Sequence, residues 1–381
     1  MTFEPSERVA GVPPSGIRRF FEIAEEYDDI ISLGVGEPDF APPWAARDAA
    51  IASLERGQTS YTANRGMREL RERIAADVRE RYGLEYDPDE EVLVTSGASE
   101  AVDLAFRAFL DPGDRVAVAQ PCYISYVPGV EFAGADVVDV PTRAADDFKL
   151  TREVLEASEA ADADALVMCY PNNPTGATMT REELKPVAEF AREHDLLVFS
   201  DEIYSELSYE HEHASIATLP GMRERTVVFN GFSKAYAMTG LRLGYALAPP
   251  EATDAMNRIH QYTMLSAPTT AQHAAVEALD SCGDEVREMR AQYDRRRNFV
   301  LARFEEMGID CFPAAGAFYA FPECPWEDSD EFAEALIEEE RVAVVPGNVF
   351  GAGGEGHLRV SYATSLGDLK EALSRIESFL E

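Results

Sequence analysis

The stretch TVVFNGFSKAYAMTGLRLGYALA, residues Thr226–Ala248, decides how the whole chain reads. Two apolar runs, TVVFN (226–230) and LRLGYALA (241–248), flank a loop of small and polar residues that holds Lys234. Short, continuously apolar runs are the mark of strands buried on both faces. The chain has four lysines, Lys149, Lys185, Lys234 and Lys370. Three of them sit among charged or polar neighbours (DDFKLT, EELKPV, GDLKEA), as solvated lysines do. Lys234 instead stands among Gly231, Phe232, Ser233, Ala235, Tyr236 and Ala237. A lysine that loses solvent has a lowered pKa and becomes a usable amine nucleophile.

The same pattern extends upstream. EVLVT (91–95), RVAVA (115–119), ALVMCY (165–170) and LLVFS (196–200) are further apolar runs, and AVDLAFRAFL (101–110) and REELKPVAEFAREH (181–194) are amphipathic helices between them. Strand alternating with helix predicts an α/β fold with a mostly parallel sheet covered on both faces. Beyond about Asp280 the pattern changes. EVREMRAQYDRRRNFVLARFEEMG (285–308) reads as one long charged helix, followed by short strands and the helix EFAEALIEEE (331–340). These divisions predict an N-terminal segment (1–45), a large domain (46–280) and a smaller α+β domain (281–381). SGIRRFFEIAEEY (15–27) is too short to fold alone and is expected to pack on the small domain or a second subunit.

Charge is lopsided, with 34 basic and 70 acidic residues and a net charge of −36. Self-repulsion on that scale destabilises a compact chain in dilute buffer. The Debye length shrinks to about 3 Å in molar salt, which removes most of the repulsion. The composition therefore points to a halophilic protein. No basic patch offers phosphate contacts, so nucleic acid is not an expected partner. No apolar run reaches the ~20 residues of a membrane span. MTFEPSERVAGVPP lacks the apolar centre of an export signal, and the five cysteines show no CxxC or zinc-finger spacing. A cytoplasmic protein without a structural metal is expected. His211 and His213 in YEHEHAS read as a solvated loop rather than a metal site, and VFGAGGEGH (349–357) as a flexible loop.

Open α/β sheets bind ligands beyond the carboxyl ends of their strands. SGASEA follows EVLVT, QPCYISY follows RVAVA, PNNPTG follows ALVMCY, and DEIY follows LLVFS. SGAS before a helix suits an anion, because free N–H groups and the helix dipole meet there. Serine is equally an ordinary N-cap, so that turn alone decides nothing. Asp201 ends an apolar run, where a carboxylate is costly unless paired. An amine nucleophile, a phosphate cradle and a buried carboxylate together suit pyridoxal phosphate. That cofactor needs a lysine for its Schiff base, anchors for its phosphate and an acid that keeps its ring nitrogen protonated.

YPNNPTG, SDEIY and NGFSKAYAMTGLRLGY resemble the signatures of class I aminotransferases, fold type I of the pyridoxal-phosphate enzymes. Flanking matches (ISLGVGEPDF, TSYTANRGMRELR, GAFYAFP, VAVVPGNVFG, LRVSYA) spread the resemblance over essentially the whole chain. It is nearest to the archaeal aspartate/aromatic aminotransferase subgroup. The resemblance implies a seven-stranded sheet in the large domain and PLP-dependent transamination between an L-amino acid and a 2-oxo acid such as 2-oxoglutarate. It makes Lys234 the Schiff-base lysine and proton shuttle, and Asp201 the partner of the pyridinium nitrogen. Asn173 and Tyr204 become the pair at the ring hydroxyl, with Asn173 also bordering substrate, and Tyr123 the stacking ring. Ala98, Ser99, Ser233 and Arg242 would hold the phosphate, and Tyr61 would reach the phosphate of a neighbouring subunit, implying a homodimer with shared sites. Arg359 would fork onto the substrate α-carboxylate, with Gly36 lining the substrate side. Other chemistry on the same scaffold, by a β-lyase or an aminocyclopropane-carboxylate synthase, uses the same cofactor residues. A non-catalytic ligand-sensing regulator is the remote alternative.

Overall fold

The computed structural model describes residues 3–25, 27 and 29–381. Strand β1 (Ile31–Ser32) precedes seven strands of one sheet. These are β2 (Val92–Thr95), β3 (Arg115–Gln120), β4 (Asp136–Pro141), β5 (Ala165–Cys169), β6 (Leu197–Asp201), β7 (Thr226–Gly231) and β8 (Gly244–Leu247). Four shorter strands follow: β9 (Tyr319–Ala320), β10 (Val342–Ala343), β11 (Val345–Pro346) and β12 (Leu358–Ser361).

The large sheet has the order β2-β8-β7-β6-β5-β3-β4. Strands β4, β3, β5, β6 and β7 run parallel, while β8 lies antiparallel to both β7 and β2. The expected mostly parallel, seven-stranded sheet is therefore present. Its strands alternate between two cores at the period of two that a pleat imposes. Leu166, Met168 and Val198 face one core with Phe190, and Val167, Cys169 and Phe199 face the other with Phe106. Phe106 and Phe199 meet edge to face with centroids 5.3 Å apart.

Strand β4 carries no continuous apolar run. Its Asp136 and Asp139 are exposed while Val138 and Val140 are buried. That alternation belongs to an edge strand with one wet face, which a search for continuously apolar runs passes over. Strand β8 is also shorter than its run: Thr239–Leu241 forms a 3-10 turn and Arg242 takes a left-handed conformation (φ 53°).

The parallel strands end on one edge. Cys169 pairs with Asp201 and Asp201 with Phe229, so the ends of β5, β6 and β7 stand side by side. Against this edge lies a smaller unit. It holds the antiparallel sheet β11-β12-β9, the long helix Gly283–Glu306 and the helix Ser329–Glu340. The N-terminal helix Gly16–Glu25 joins it through an ion pair of Arg19 with Glu334, and β1 runs parallel to β10. Asp39 takes a two-pronged pair from Arg296 at 2.7 and 2.9 Å.

Two readings of loops are corrected. His213 is not solvated: its side chain is 6% exposed and its Nε2 lies 2.9 Å from Glu202 Oε2. The acidic neighbours in YEHEHAS conceal a side chain that long-range packing draws inward. Nor is residues 349–357 a free loop. Gln120 accepts from Ala352 N at 2.6 Å, and Cys122 N donates to Phe350 O at 2.9 Å. Its glycines serve close packing: a Cβ on Gly353 would stand 2.4 Å from Thr142 O.

Gly244 lets β8 pass under the turn before helix Ala98–Phe109; a Cβ there would lie 2.4 Å from Ala98 N. Gly244→Ala is expected to cost about 1–3 kcal/mol of stability by overpacking backbone against backbone. Chemical denaturation of the purified variant checks this, and an unchanged midpoint contradicts the close approach.

Candidate active site

A cavity of about 1260 Å³ opens where the carboxyl ends of the parallel strands meet the smaller unit. Every site residue named from the sequence lines it except Tyr61, which is 79% exposed on the outer surface. The loops after β3, β5, β6 and β7 deliver Tyr123, Asn173, Tyr204 and Lys234, as the topology of an open parallel sheet requires.

Lys234 reaches from the loop after β7 and donates from Nζ to Gly36 O at 2.7 Å. The amine also faces the rings of Tyr204 and Phe318, 5.6 and 5.5 Å from their centroids. Loss of solvent pushes its pKa down to about 8, and the charge of Arg359 adds to this; Glu37 and Asp201 pull the other way. Gly36 is also needed for space, since a Cβ would stand 2.2 Å from Tyr319 Oη.

Asp201 is buried at the end of β6. Its Oδ2 accepts from Tyr126 Oη at 2.6 Å and its Oδ1 from Ile203 N at 3.0 Å. Burial pushes its pKa up to about 6, against the pull of those two donors. Tyr126 was missed from sequence. It sits three residues past Tyr123 at the start of helix Tyr126–Ala133, and nothing local marks it as the partner of a residue 75 positions on.

Arg359 on β12 is the site's buried cation. It donates to Asn173 Oδ1 at 2.9 Å and Gly34 O at 2.6 Å, and lies 4.7 Å from the ring centroids of both Tyr319 and Phe350. Its Nε has no partner. Tyr204 and Tyr319 join through their hydroxyls at 2.9 Å. Tyr319 lies in the GAFYAFP match, but that motif gave it no role.

The third cluster is cationic. Helix Ala98–Phe109 begins beside Arg242, whose Nη2 stands 2.8 Å from where a Cβ of Gly97 would be. Ser233 lines the same cavity. Amides at a helix start, a hydroxyl and a guanidinium form a cradle for a phosphate-sized anion.

The family described as aminotransferase class I and II matches residues 28–376. The chain belongs to this family. It is 50% identical over 382 residues to the putative aminotransferase YugH of Bacillus subtilis, covering 100% of this chain and 99% of that one. It is 41% identical over 381 residues to aromatic-amino-acid aminotransferase 2 of Thermococcus litoralis, covering 99% and 98%. The solved aspartate aminotransferase of Thermus thermophilus with maleate matches at a TM-score of 0.93 and 39% identity, covering 99% and 100%. This aminotransferase shares the fold type I architecture and the pyridoxal phosphate dependence of its class. Its residues fit that cofactor. A buried carboxylate with no cation in contact, a desolvated amine and a phosphate-sized cradle share one cavity. The glycine at 97 keeps the place that a side chain would fill.

In the cofactor-free aminotransferase Asp201 takes up a proton as pH falls through about 6. Tyr126→Phe removes a donor to the charged form, so the pKa moves upward, by about 1–2 units for a lost bond of ~1.5–3 kcal/mol. Infrared titration of the carboxyl band measures it; an unshifted midpoint contradicts the role of Tyr126.

Proposed function

We propose that this aminotransferase moves the amino group of an L-amino acid, aspartate, aromatic or broader, to a 2-oxo acid such as 2-oxoglutarate, through Lys234. The observation that carries the reading is the lowered pKa of Lys234 inside a cavity that also holds Asp201 and Arg359. Bound pyridoxal phosphate supplies an aldehyde for the amino group and a ring that draws electrons from the reacting carbon.

The chain's residues divide the remaining work. Lys234 Nζ takes the proton from the substrate's α-carbon and returns it to the other side of the exchange; an amine with a pKa near 8 can do both near neutrality. Asp201 holds the ring nitrogen protonated, and Tyr126 holds Asp201. Asn173 and Tyr204 donate to the ring hydroxyl, and Tyr123 covers the ring. Ala98, Ser99, Ser233 and Arg242 take the phosphate. Arg359, released from Asn173 or sharing it, forks onto the α-carboxylate, with Gly36 beside the substrate.

Among the described residues, the cavity's lysines and arginines are Lys234, Arg242 and Arg359. Arg65 pairs with Asp254 and donates to Asp89 O at 2.5 Å, and it does not line the cavity. Ile17 does line it, whereas Phe20 is buried in the core. With Lys234, Arg242 and Arg359 given to cofactor and α-carboxylate, a side-chain carboxylate on aspartate or 2-oxoglutarate would need its cation from a second copy of the chain. Support for a homodimer comes from Trp44, Ile51 and Leu54, exposed on one face of helix Trp44–Glu55, and from Tyr61 and Tyr262, both more than three-quarters exposed. Tyr61 would enter the partner's cavity from that face. The division at 45/46 and 280/281, a cytoplasmic setting and adaptation to high salt complete the reading, the last supported by the net charge of −36.

Three outcomes test this. Borohydride treatment of the yellow holoenzyme followed by peptide mapping is expected to place the label on Lys234; a label elsewhere refutes the reading. The rate at which apoprotein captures pyridoxal phosphate should climb with pH with its midpoint near 8 rather than near 10.5, since only the neutral amine attacks. A panel of amino acids with 2-oxoglutarate in molar KCl should show transamination that falls in low salt. Ammonia or CO2 as products would mean other chemistry, and salt-independent stability would remove the halophile reading.

A further inference from the structure

Beside the anion cradle lies a half-buried acid. Glu100, in the first turn of helix Ala98–Phe109, folds back so that its Oε2 accepts from Ser96 N at 2.5 Å. Its Oε1 meets Nδ1 of His260 at 2.7 Å. His260 comes from helix Pro250–Thr263 and is fully buried. Its Nε2 has no partner, and neither does the buried Ser96 Oγ.

These contacts favour one placement of the ring proton. A protonated imidazole would bury a second N–H with no acceptor, which is the costlier omission. A neutral ring carrying its proton on Nδ1 donates to Glu100 and leaves only a bare lone pair. Glu100 then accepts on both oxygens, and the helix dipole favours a carboxylate there.

An ionised carboxylate beside a phosphate cradle repels the phosphate, so its charge alone weakens binding. Its hydrogen bonds act in the opposite sense. The N-cap Gly97 has no side chain, and no side-chain cap bond forms. Glu100, the third helical residue, instead reaches back past the N-cap and takes the amide of Ser96, tying the turn to the helix start. The first helical amides, of Ala98 and Ser99, have no intrahelical acceptor and remain for a ligand.

We propose that Glu100 and His260 form a strut that shapes the phosphate-binding turn, making both positioning residues for the cofactor. This rests on the cofactor reading given above. The two effects of Glu100 have opposite signs, so two substitutions separate them. Glu100→Gln removes the charge and keeps one acceptor for Ser96 N, while its amide NH2 meets His260 Nδ1 and shifts the ring proton to Nε2. Glu100→Ala removes both.

Isothermal titration of the apoprotein with pyridoxal phosphate, and with inorganic phosphate as a second probe, gives the test. Glu100→Gln is expected to bind both about threefold more tightly, the scale of one removed charge at a helix start. Glu100→Ala is expected to bind both about tenfold or more weakly, the scale of a lost charged hydrogen bond. The loss should fall on cofactor affinity more than on kcat at saturating cofactor. Should Glu100→Ala not fold, His260→Gln replaces it, with weaker binding expected. Equal tightening in Glu100→Gln and Glu100→Ala would show a charge effect alone and overturn the strut, as would unchanged affinity in Glu100→Ala or His260→Gln. Wild-type apoprotein that binds neither probe would instead refute the cofactor reading itself.

Discussion

A primary amine must be kept out of water, and so partly uncharged, while standing in the same cavity as a buried acid and a buried guanidinium. Everything at this site follows from that requirement on Lys234. Desolvation lowers its pKa and Arg359 lowers it further, while Asp201 and Glu37 restrain the shift. The balance needs each group at a fixed place in a region of low dielectric, where charges act strongly on one another. A sheet buried on both faces provides that rigidity. Its strand ends bring Asp201 and the loop of Lys234 to one edge, and the smaller unit closes over them with Arg359.

The buried polar groups are tied together across the sequence rather than along it. Asp201 depends on Tyr126, Arg359 on Asn173 and Gly34, and Tyr204 on Tyr319. Each tie joins segments that only folding brings together, so the site exists only as far as the sheet edge and the smaller unit are both formed. Among the described residues Arg359 Nε has no acceptor, and a buried donor left so is costly.

This division also explains what was legible in the sequence. Runs such as ALVMCY and LLVFS announce buried strands because burial on both faces leaves a local, continuous signal. Lys234 stood out because its neighbours are small and uncharged. Strand β4 was obscured by its wet face, although the family resemblance supplied the strand count. Tyr126, Tyr319, Glu100 and His260 were missed for another reason. Their importance lies in a partner tens to hundreds of residues away, and neither spacing nor composition records such a pair. His213 misled in the opposite direction, because acidic neighbours suggested solvent where Glu202 holds it inside.

The protein's charges are arranged by depth, and the two layers pull against each other. Outside, the net charge of −36 repels anions. The cavity, by contrast, is lined by Lys234, Arg242 and Arg359. At about 0.1 M salt the Debye length is ~10 Å, so the acidic exterior is felt by an anion before the cavity is. In molar salt that length falls to about 3 Å, and the exterior field fades within a water layer or two. Arg359, buried among protein groups, is screened far less, because solvent ions do not share its surroundings. Added salt therefore acts twice by the same screening, relieving self-repulsion at the exterior and easing the approach of anions to the cavity. The surface charge and the cavity charge are thus coupled through the ionic strength of the solvent rather than through any contact between them.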